Sequence, residues 1–117
     1  MSKIVLVIDD EADVRLFLTT LLKKNGYETL TAEDGIEGYE VAKREKPDLV
    51  TLDLQMPNKT GTEFYRRLSR DKEIGDTPII VVSGIPGRHL AVKNAIAVFD
   101  KPISADTFIE TVNKVLD

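Results

Sequence analysis

Two kinds of apolar pattern alternate along the chain. Ile4-Val5-Leu6-Val7-Ile8, Leu49-Val50-Thr51-Leu52 and Ile79-Ile80-Val81-Val82 are short, continuous and rich in β-branched residues. Continuous runs, unlike alternating ones, belong to strands covered on both faces. Tyr27 to Thr31 and Ala97-Val98-Phe99 are weaker strands of the same kind. Between the strands the period is helical. Val14, Phe17, Leu18, Leu21 and Leu22 form one stripe, which stops at Asn25-Gly26. Asp34-Gly35-Ile36-Glu37 has the spacing of a capping box and opens a helix to about Glu45, ahead of Pro47. Thr60-Gly61-Thr62-Glu63 repeats that logic before Phe64, Tyr65 and Leu68. Ser104 stands where it can cap a last helix with the stripe Phe108, Ile109, Val112, Val115 and Leu116. Between Val82 and Ala97 only Arg88 to Ala95 has room for a helix, after the turn-like Gly84-Ile85-Pro86-Gly87. Strand alternating with helix five times predicts an α/β domain: a doubly wound, five-stranded parallel sheet with helices on both faces.

In a parallel sheet every strand delivers its C-terminal end to the same edge, where open α/β sheets form their ligand sites. Four of the five predicted strands end there in polar residues: Asp9 and Asp10, then Asp53, then Ser83, then Asp100 and Lys101. Carboxylates packed together repel one another, and a hard divalent cation such as Mg²⁺, which prefers oxygen ligands, relieves that repulsion. Lys101 adds a positive point charge and Ser83 a hydroxyl donor. The combination suits phosphoryl transfer, with Asp53 as nucleophile and Lys101 and Ser83 holding phosphoryl oxygens.

Composition narrows the alternatives. The chain has 117 residues, enough for one domain with a core of its own. Its formal charge of -4 argues against tracking a phosphate backbone. With no cysteine, disulfides, thiolate nucleophiles and cysteine metal sites are excluded. The first apolar run is too short for a signal peptide or membrane span, so a cytoplasmic location is expected.

Taken together, Ile8-Asp9-Asp10-Glu11, Asp53-Leu54-Gln55-Met56-Pro57 with Gly61, Ser83-Gly84, and Lys101-Pro102 resemble the signature of response-regulator receiver domains, nearly end to end. The resemblance implies a flavodoxin-like strand order 2-1-3-4-5 and a single receiver domain over residues 1–117. It also implies Asp53 as phosphoacceptor, Mg²⁺ bound by Asp10 and Asp53 directly and by Asp9 through water, and the Gln55 backbone carbonyl as a further ligand. Lys101 would pair with the phosphate, Ser83 would be the switch hydroxyl, and the Lys101-Pro102 bond would be cis. A sensor histidine kinase or phosphotransfer protein would be the donor, and an output partner or domain the target. Such a domain assists its own phosphorylation without being an enzyme in the ordinary sense.

Two departures from the pattern stand out. Eighteen positions separate Ser83 from Lys101, several fewer than is typical, so the family's fourth helix should be shortened or remodelled. The aromatic residue expected three positions before the lysine is Val98 here, and Phe99 lies one place later. Successive strand residues face opposite sides, so the shift is not neutral. The hydroxyl–aromatic switch is therefore expected to be absent or altered.

Plainer readings exist for each part. Asp9-Asp10 suits a strand-end turn capping the next helix, Asp53 a turn residue, Ser83 a turn serine and Lys101 a solvated lysine. His89 reads as a surface residue and Met56 as packing at a loop base. Tyr39, Phe64 and Tyr65 read as helix-face packing, and Lys43-Arg44-Glu45-Lys46 and Arg66-Arg67 as solvated faces. Of the rival functions, a flavin or nucleotide carrier wants a Gly-rich or Ser/Thr-rich loop after the first strand, where this chain has acidic residues. An aspartyl phosphohydrolase needs a lid for which no insertion is long enough. An interaction module that keeps the fold without the phosphorylation is the alternative that the short Ser83–Lys101 segment favours.

Overall fold

Each continuous apolar run forms a strand buried on both faces. The computed structural model describes residues 2–56, 60–83 and 95–117, the side chain of Ser83 excepted. Within these, the order is β1 (Ile4–Ile8), α1 (Ala12–Lys24), β2 (Glu28–Ala32), α2 (Gly35–Glu45), β3 (Leu49–Asp53), α3 (Thr60–Arg70), β4 (Ile79–Ser83), β5 (Ala95–Asp100) and α4 (Ala105–Leu116). The strands form one parallel sheet in the order β2-β1-β3-β4-β5. This is the predicted order. The turn predicted at Gly84 to Gly87, the helix predicted from Arg88 and the surface position expected for His89 lie outside the described residues. Ala95, placed at the end of that helix, instead opens β5.

Helices cover both faces, and the pleat sorts the apolar side chains between them. Leu6, Ile8, Val50, Leu52, Ile79 and Val81 pack with Val41, Ala42, Phe64 and Leu68 of α2 and α3. Their alternates Val5, Val7, Leu49, Ile80 and Val82 pack with Leu18 and Leu22 of α1 and Phe108 and Val112 of α4. Burying one such side chain fully stabilises the fold by about 1.5–3 kcal/mol, so these two layers dominate the stability. Phe17 departs from its predicted stripe, being 43% exposed. It stands at the stripe's margin, lining a groove with Val14, Pro102 and Ile103.

At the sheet's edge, Ile79 pairs with Ala95 but Ile80 with Ala97, leaving Ile96 as an extra residue. Beyond this bulge Ala97 and Phe99 pack on the α1–α4 side. Val98 lies in register with Val81 on the opposite face and is 37% exposed.

The helix ends obey the sequence unevenly. Gly26, at φ +91°, lets the chain leave α1 in a conformation that costs other residues energy, and its N–H reaches the Lys23 carbonyl at 3.1 Å. Asp34 caps α2 by accepting from the Glu37 N–H at 2.8 Å, while the Glu37 carboxylate accepts from the Glu33 N–H, one residue earlier than a reciprocal box requires. The box expected at Thr60 does not form. Thr60 already belongs to α3, its buried hydroxyl has no hydrogen-bond partner among the described residues, and Glu63 pairs with Arg66 and Arg67 instead. Ser104 occupies the cap position of α4 without a side-chain cap; its hydroxyl meets Thr107 Oγ1 at 3.3 Å.

One polar tie joins α2 to the end of α3. The Asp71 carboxylate accepts from Tyr39 Oη at 2.6 Å, from Lys43 Nζ at 2.9 Å, and from the N–H groups of Glu73 and Ile74. The Tyr39 and Lys43 bonds hold its pKa well below the ordinary aspartate value. Tyr39 and Lys43, read from the sequence as packing and as a solvated face, are thus joint partners of one carboxylate. Among the described residues no helix is long and apolar enough to cross a membrane.

Candidate functional site

Asp53 is the last residue of β3, and its carboxylate is fully buried. The local chain makes room for it. A Cβ on Gly61 would stand 2.5 Å from the Asp53 carbonyl oxygen, so only glycine lets the first turn of α3 sit this close to the end of β3. The Gln55 N–H donates to Asp53 Oδ1 at 2.8 Å, folding the loop back over the carboxylate. Met56, buried beside Phe64 in the α2–α3 layer, anchors the same loop.

The acidic residues after β1 meet Asp53 from the neighbouring strand. The Asp9 N–H continues the ladder to the Ala32 carbonyl at 3.1 Å, and its Oδ1 accepts from the Glu11 N–H at 2.9 Å, closing a turn. Asp9 is buried, whereas Asp10 and Glu11 are exposed. Carboxylate oxygens of Asp9, Asp10, Glu11 and Asp53 all lie within 4.8 Å of one another.

Lys101 enters from the end of β5, and its peptide bond to Pro102 is cis. Its ammonium lies 3.0 Å from Glu11 Oε1, 3.2 Å from Asp9 Oδ2 and 3.4 Å from Asp53 Oδ2. Burial opposes that charge, but the Glu11 hydrogen bond and the Asp53 and Asp9 carboxylates outweigh it, so the lysine pKa is raised above its usual value. The carboxylates feel the reverse. Burial pushes Asp53 up to about 6, helped by the charge of Asp9 and opposed by the Gln55 N–H and Lys101. Burial also raises Asp9, against the Glu11 N–H and Lys101. One ammonium is insufficient for this much buried negative charge.

The donor set at this edge fits a hard divalent cation. Among the described residues it consists of carboxylate oxygens, without nitrogen or sulfur, and the buried charge of Asp9 and Asp53 lacks full compensation. Asp9, Asp10 and Asp53 converge as the sequence implied. Gln55 lies beside them, contacting Asp53 through its N–H. Ser83 ends β4 opposite Asp100, one position beyond the Asp53–Val82 pair, and its side chain lies outside the described residues, as does Gly84. Asp100 is exposed.

Two residues of the site had no assigned role in the sequence. Glu11 supplies the shortest contact to Lys101, and Arg15, on α1, donates from Nη1 to the Asp9 carbonyl at 2.7 Å. Their spacing carried the signal. Arg15 follows Glu11 by four residues, one helical turn, which brings its long side chain back over the start of α1.

Comparison with known proteins agrees with this geometry. Residues 5–113 match the family model described as the response regulator receiver domain. The chain belongs to that family, whose members are signalling domains. It is similar to the protein PilH of Pseudomonas aeruginosa, at 32% identity over 96% of each chain. It is equally similar to the polar-differentiation response regulator DivK of Brucella ovis, at 32% identity over 99% of this chain and 98% of that protein. Among solved structures, the chemotaxis response regulator CheY4 of Vibrio cholerae superposes with a TM-score of 0.89 at 29% identity, covering 99% of this chain and 100% of that one.

Proposed function

We propose that this domain accepts a phosphoryl group on Asp53 from the phosphohistidine of a sensor kinase or phosphotransfer protein, in a Mg²⁺-dependent reaction, and so controls an output partner. The observation that carries the reading is the buried Asp53 carboxylate, 3.4 Å from Lys101 and grouped with three other carboxylates. A surface aspartate has no need of such an arrangement. Asp10 and Asp53 would hold the cation directly, Asp9 through water, and the Gln55 carbonyl would complete the set. Bound there, the cation supplies charge neutralisation for the carboxylates and for phosphoryl oxygens.

The chain's own residues do the rest. An Asp53 carboxylate oxygen forms the new bond to phosphorus as the bond from phosphorus to the donor nitrogen breaks, its electron pair leaving with the imidazole. The Gln55 N–H holds one carboxylate oxygen in place, which leaves Oδ2, on the Lys101 side, as the nucleophile. Lys101 then exchanges carboxylate contacts for a phosphoryl oxygen, and Ser83 donates its hydroxyl to another. The domain acts as a phosphoacceptor and does not turn over an external substrate.

The downstream step departs from the usual pattern. Phe99 packs edge to face on Phe108, with ring centroids 5.8 Å apart, on the α1–α4 side, while Val98 occupies the other face. Phe99 therefore does not stand in for the aromatic residue expected at position 98, and the output signal travels by another route than a swinging ring. A second reading, signalling without phosphorylation, draws on the same observation.

Acetyl phosphate distinguishes them. Incubated with Mg²⁺, the protein should gain one phosphoryl group by intact mass; without Mg²⁺, or as Asp53→Asn, it should gain none. Modification that persists in Asp53→Asn makes another residue the acceptor, and no modification of the wild type favours the second reading.

A further inference from the structure

Among the described residues, nothing bonded to its own side chain holds Asp10 in the acidic cluster. Its carboxylate is exposed and has no hydrogen bond among the described residues, so the backbone on either side of it is what sets the direction in which its Cα–Cβ bond presents the carboxylate. Both flanking peptide groups are fixed. On the C-terminal side, the Glu11 N–H donates to Asp9 Oδ1 at 2.9 Å. On the N-terminal side, the Asp9 carbonyl accepts from Arg15 Nη1 at 2.7 Å, a short charge-assisted bond from a side chain only 16% exposed. The Arg15 backbone N–H bonds the Glu11 carbonyl at 3.1 Å, the first hydrogen bond of α1, so the residue that carries the guanidinium is itself fixed in the helix.

Among the described residues the guanidinium has no comparable second duty. Its other contact, Nη2 to Glu33 Oε1, is 3.4 Å long and involves a glutamate whose side chain is 75% exposed, the kind of pair that contributes little. Nor does its charge suit the location. A cation this near a divalent-ion site repels the ion, so the arginine is useful there only through the hydrogen bond it makes.

We infer that Arg15 is the positioning residue for Asp10: by bonding the Asp9 carbonyl it fixes the Asp9–Asp10 peptide and delivers the Asp10 carboxylate to the Mg²⁺ site. The inference rests on the metal-binding reading above. Two effects of removing Arg15 then have opposite signs. Loss of its charge alone tightens Mg²⁺ binding, and loss of its hydrogen bond weakens it. Supporting groups around metal ligands are typically worth about 10- to 100-fold in metal affinity, so positioning should win.

Calorimetric titration of Mg²⁺ into the full chain tests this, using the wild type, Arg15→Met, Arg15→Lys and Glu33→Gln, with urea unfolding of each in EDTA alongside. Arg15→Met should bind Mg²⁺ roughly tenfold more weakly. Arg15→Lys, which keeps the charge and can still donate to a carbonyl, should recover most of that loss, and Glu33→Gln should bind as the wild type does. An Arg15→Met protein that binds Mg²⁺ as tightly as the wild type, or more tightly, overturns the inference, even where its unfolding midpoint falls, because support of the fold alone moves the midpoint and leaves affinity unchanged. Should Arg15→Met not fold, Arg15→Gln, which lacks the charge and the reach to the Asp9 carbonyl, takes its place under the same criterion: Mg²⁺ affinity equal to or above that of the wild type overturns the inference. A wild type that binds no Mg²⁺ overturns the underlying reading and this inference together.

Discussion

The Lys101 ammonium lies 3.4 Å from Asp53 Oδ2, and the same ammonium is closer still to Asp9 and Glu11. A single cation is therefore shared among three carboxylates, two of them buried. The lysine is a tether across the sheet edge, from the end of β5 to the ends of β1 and β3. The arrangement also leaves the site short of positive charge, with consequences for how stability depends on pH.

Asp53→Asn should stabilise the metal-free protein at neutral pH. The Asp53 pKa rises from 3.8 to about 6 on folding, so the folded state holds the proton more tightly than the unfolded chain. The stability this contributes is complete below about pH 3.8, declines as pH rises, and is lost above about 6. For a fully buried carboxylate that shift corresponds to about 3 kcal/mol at most. Urea unfolding in EDTA at pH 7.5 should show the variant more stable by about 1–3 kcal/mol, with the difference vanishing near pH 4. A variant less stable than the wild type at pH 7.5 contradicts this account of the site.

Lys101→Met should do the opposite over the same range. Removing one partner from a buried charge cluster leaves the others uncompensated, which typically costs 3–5 kcal/mol when they stay charged. Asp9 and Asp53 can take up protons to limit the damage, so a loss of about 2–3 kcal/mol is expected at pH 7.5. At pH 4 the Asp53 carboxylate, pushed up to about 6, is largely protonated and the loss should shrink to below about 1 kcal/mol. A loss of equal size at both pH values would mean that packing of the lysine stem, and not its charge, is what matters.

Gly61→Ala tests the close approach beneath Asp53. The added Cβ would meet the Asp53 carbonyl oxygen at 2.5 Å, a backbone atom that cannot rotate away. Relief requires α3 to shift from the end of β3, at a cost of about 1–3 kcal/mol. Because that shift disturbs the loop through which the Gln55 N–H holds the carboxylate, phosphorylation by acetyl phosphate should slow as well. Unchanged stability would show that α3 can move without penalty.

Much of this was legible in the chain because strand ends obey a simple rule. Continuous apolar runs place Asp9, Asp53 and Lys101 at one edge once the strands are parallel, whatever the details of packing. Residues on the first turn of a helix are harder to place. Whether Glu11 or Arg15 faces the site depends on the angle at which α1 leaves the sheet, and apolar periodicity does not encode that angle. Thr60 failed for a related reason: the same four residues serve a helix that starts one position earlier, and the spacing of Thr60 and Glu63 is identical in both cases. At β5, the pleat correctly separated Val98 from Phe99, but the extra residue at Ile96 left no mark in the pattern, since Ala95, Ile96 and Ala97 read equally well in either register.

Phe99 should remain against Phe108 when Asp53 carries a phosphoryl group or a phosphate mimic. Its ring contributes to the α1–α4 layer together with Ala97 and Ile103, and an edge-to-face pair is worth about 0.5–1.5 kcal/mol beyond the area it buries. A ring swinging out would forfeit that pair and open a void against Phe108, which is fully buried. The space that a moving aromatic residue would use lies on the other face, where Val98 stands. Val98 is β-branched, with a restricted χ1 and too little reach to fill that space in one state and vacate it in the other. Aromatic cross-peaks between Phe99 and Phe108 in two-dimensional NMR should therefore persist, with unchanged relative intensity, on adding acetyl phosphate and Mg²⁺. Val98→Tyr restores an aromatic ring on the face where the family keeps it, and its ring resonances should shift on phosphorylation while those of Phe99 do not. Loss of the Phe99–Phe108 cross-peaks in the phosphorylated wild type would show that the ring one position later had taken over the switch after all.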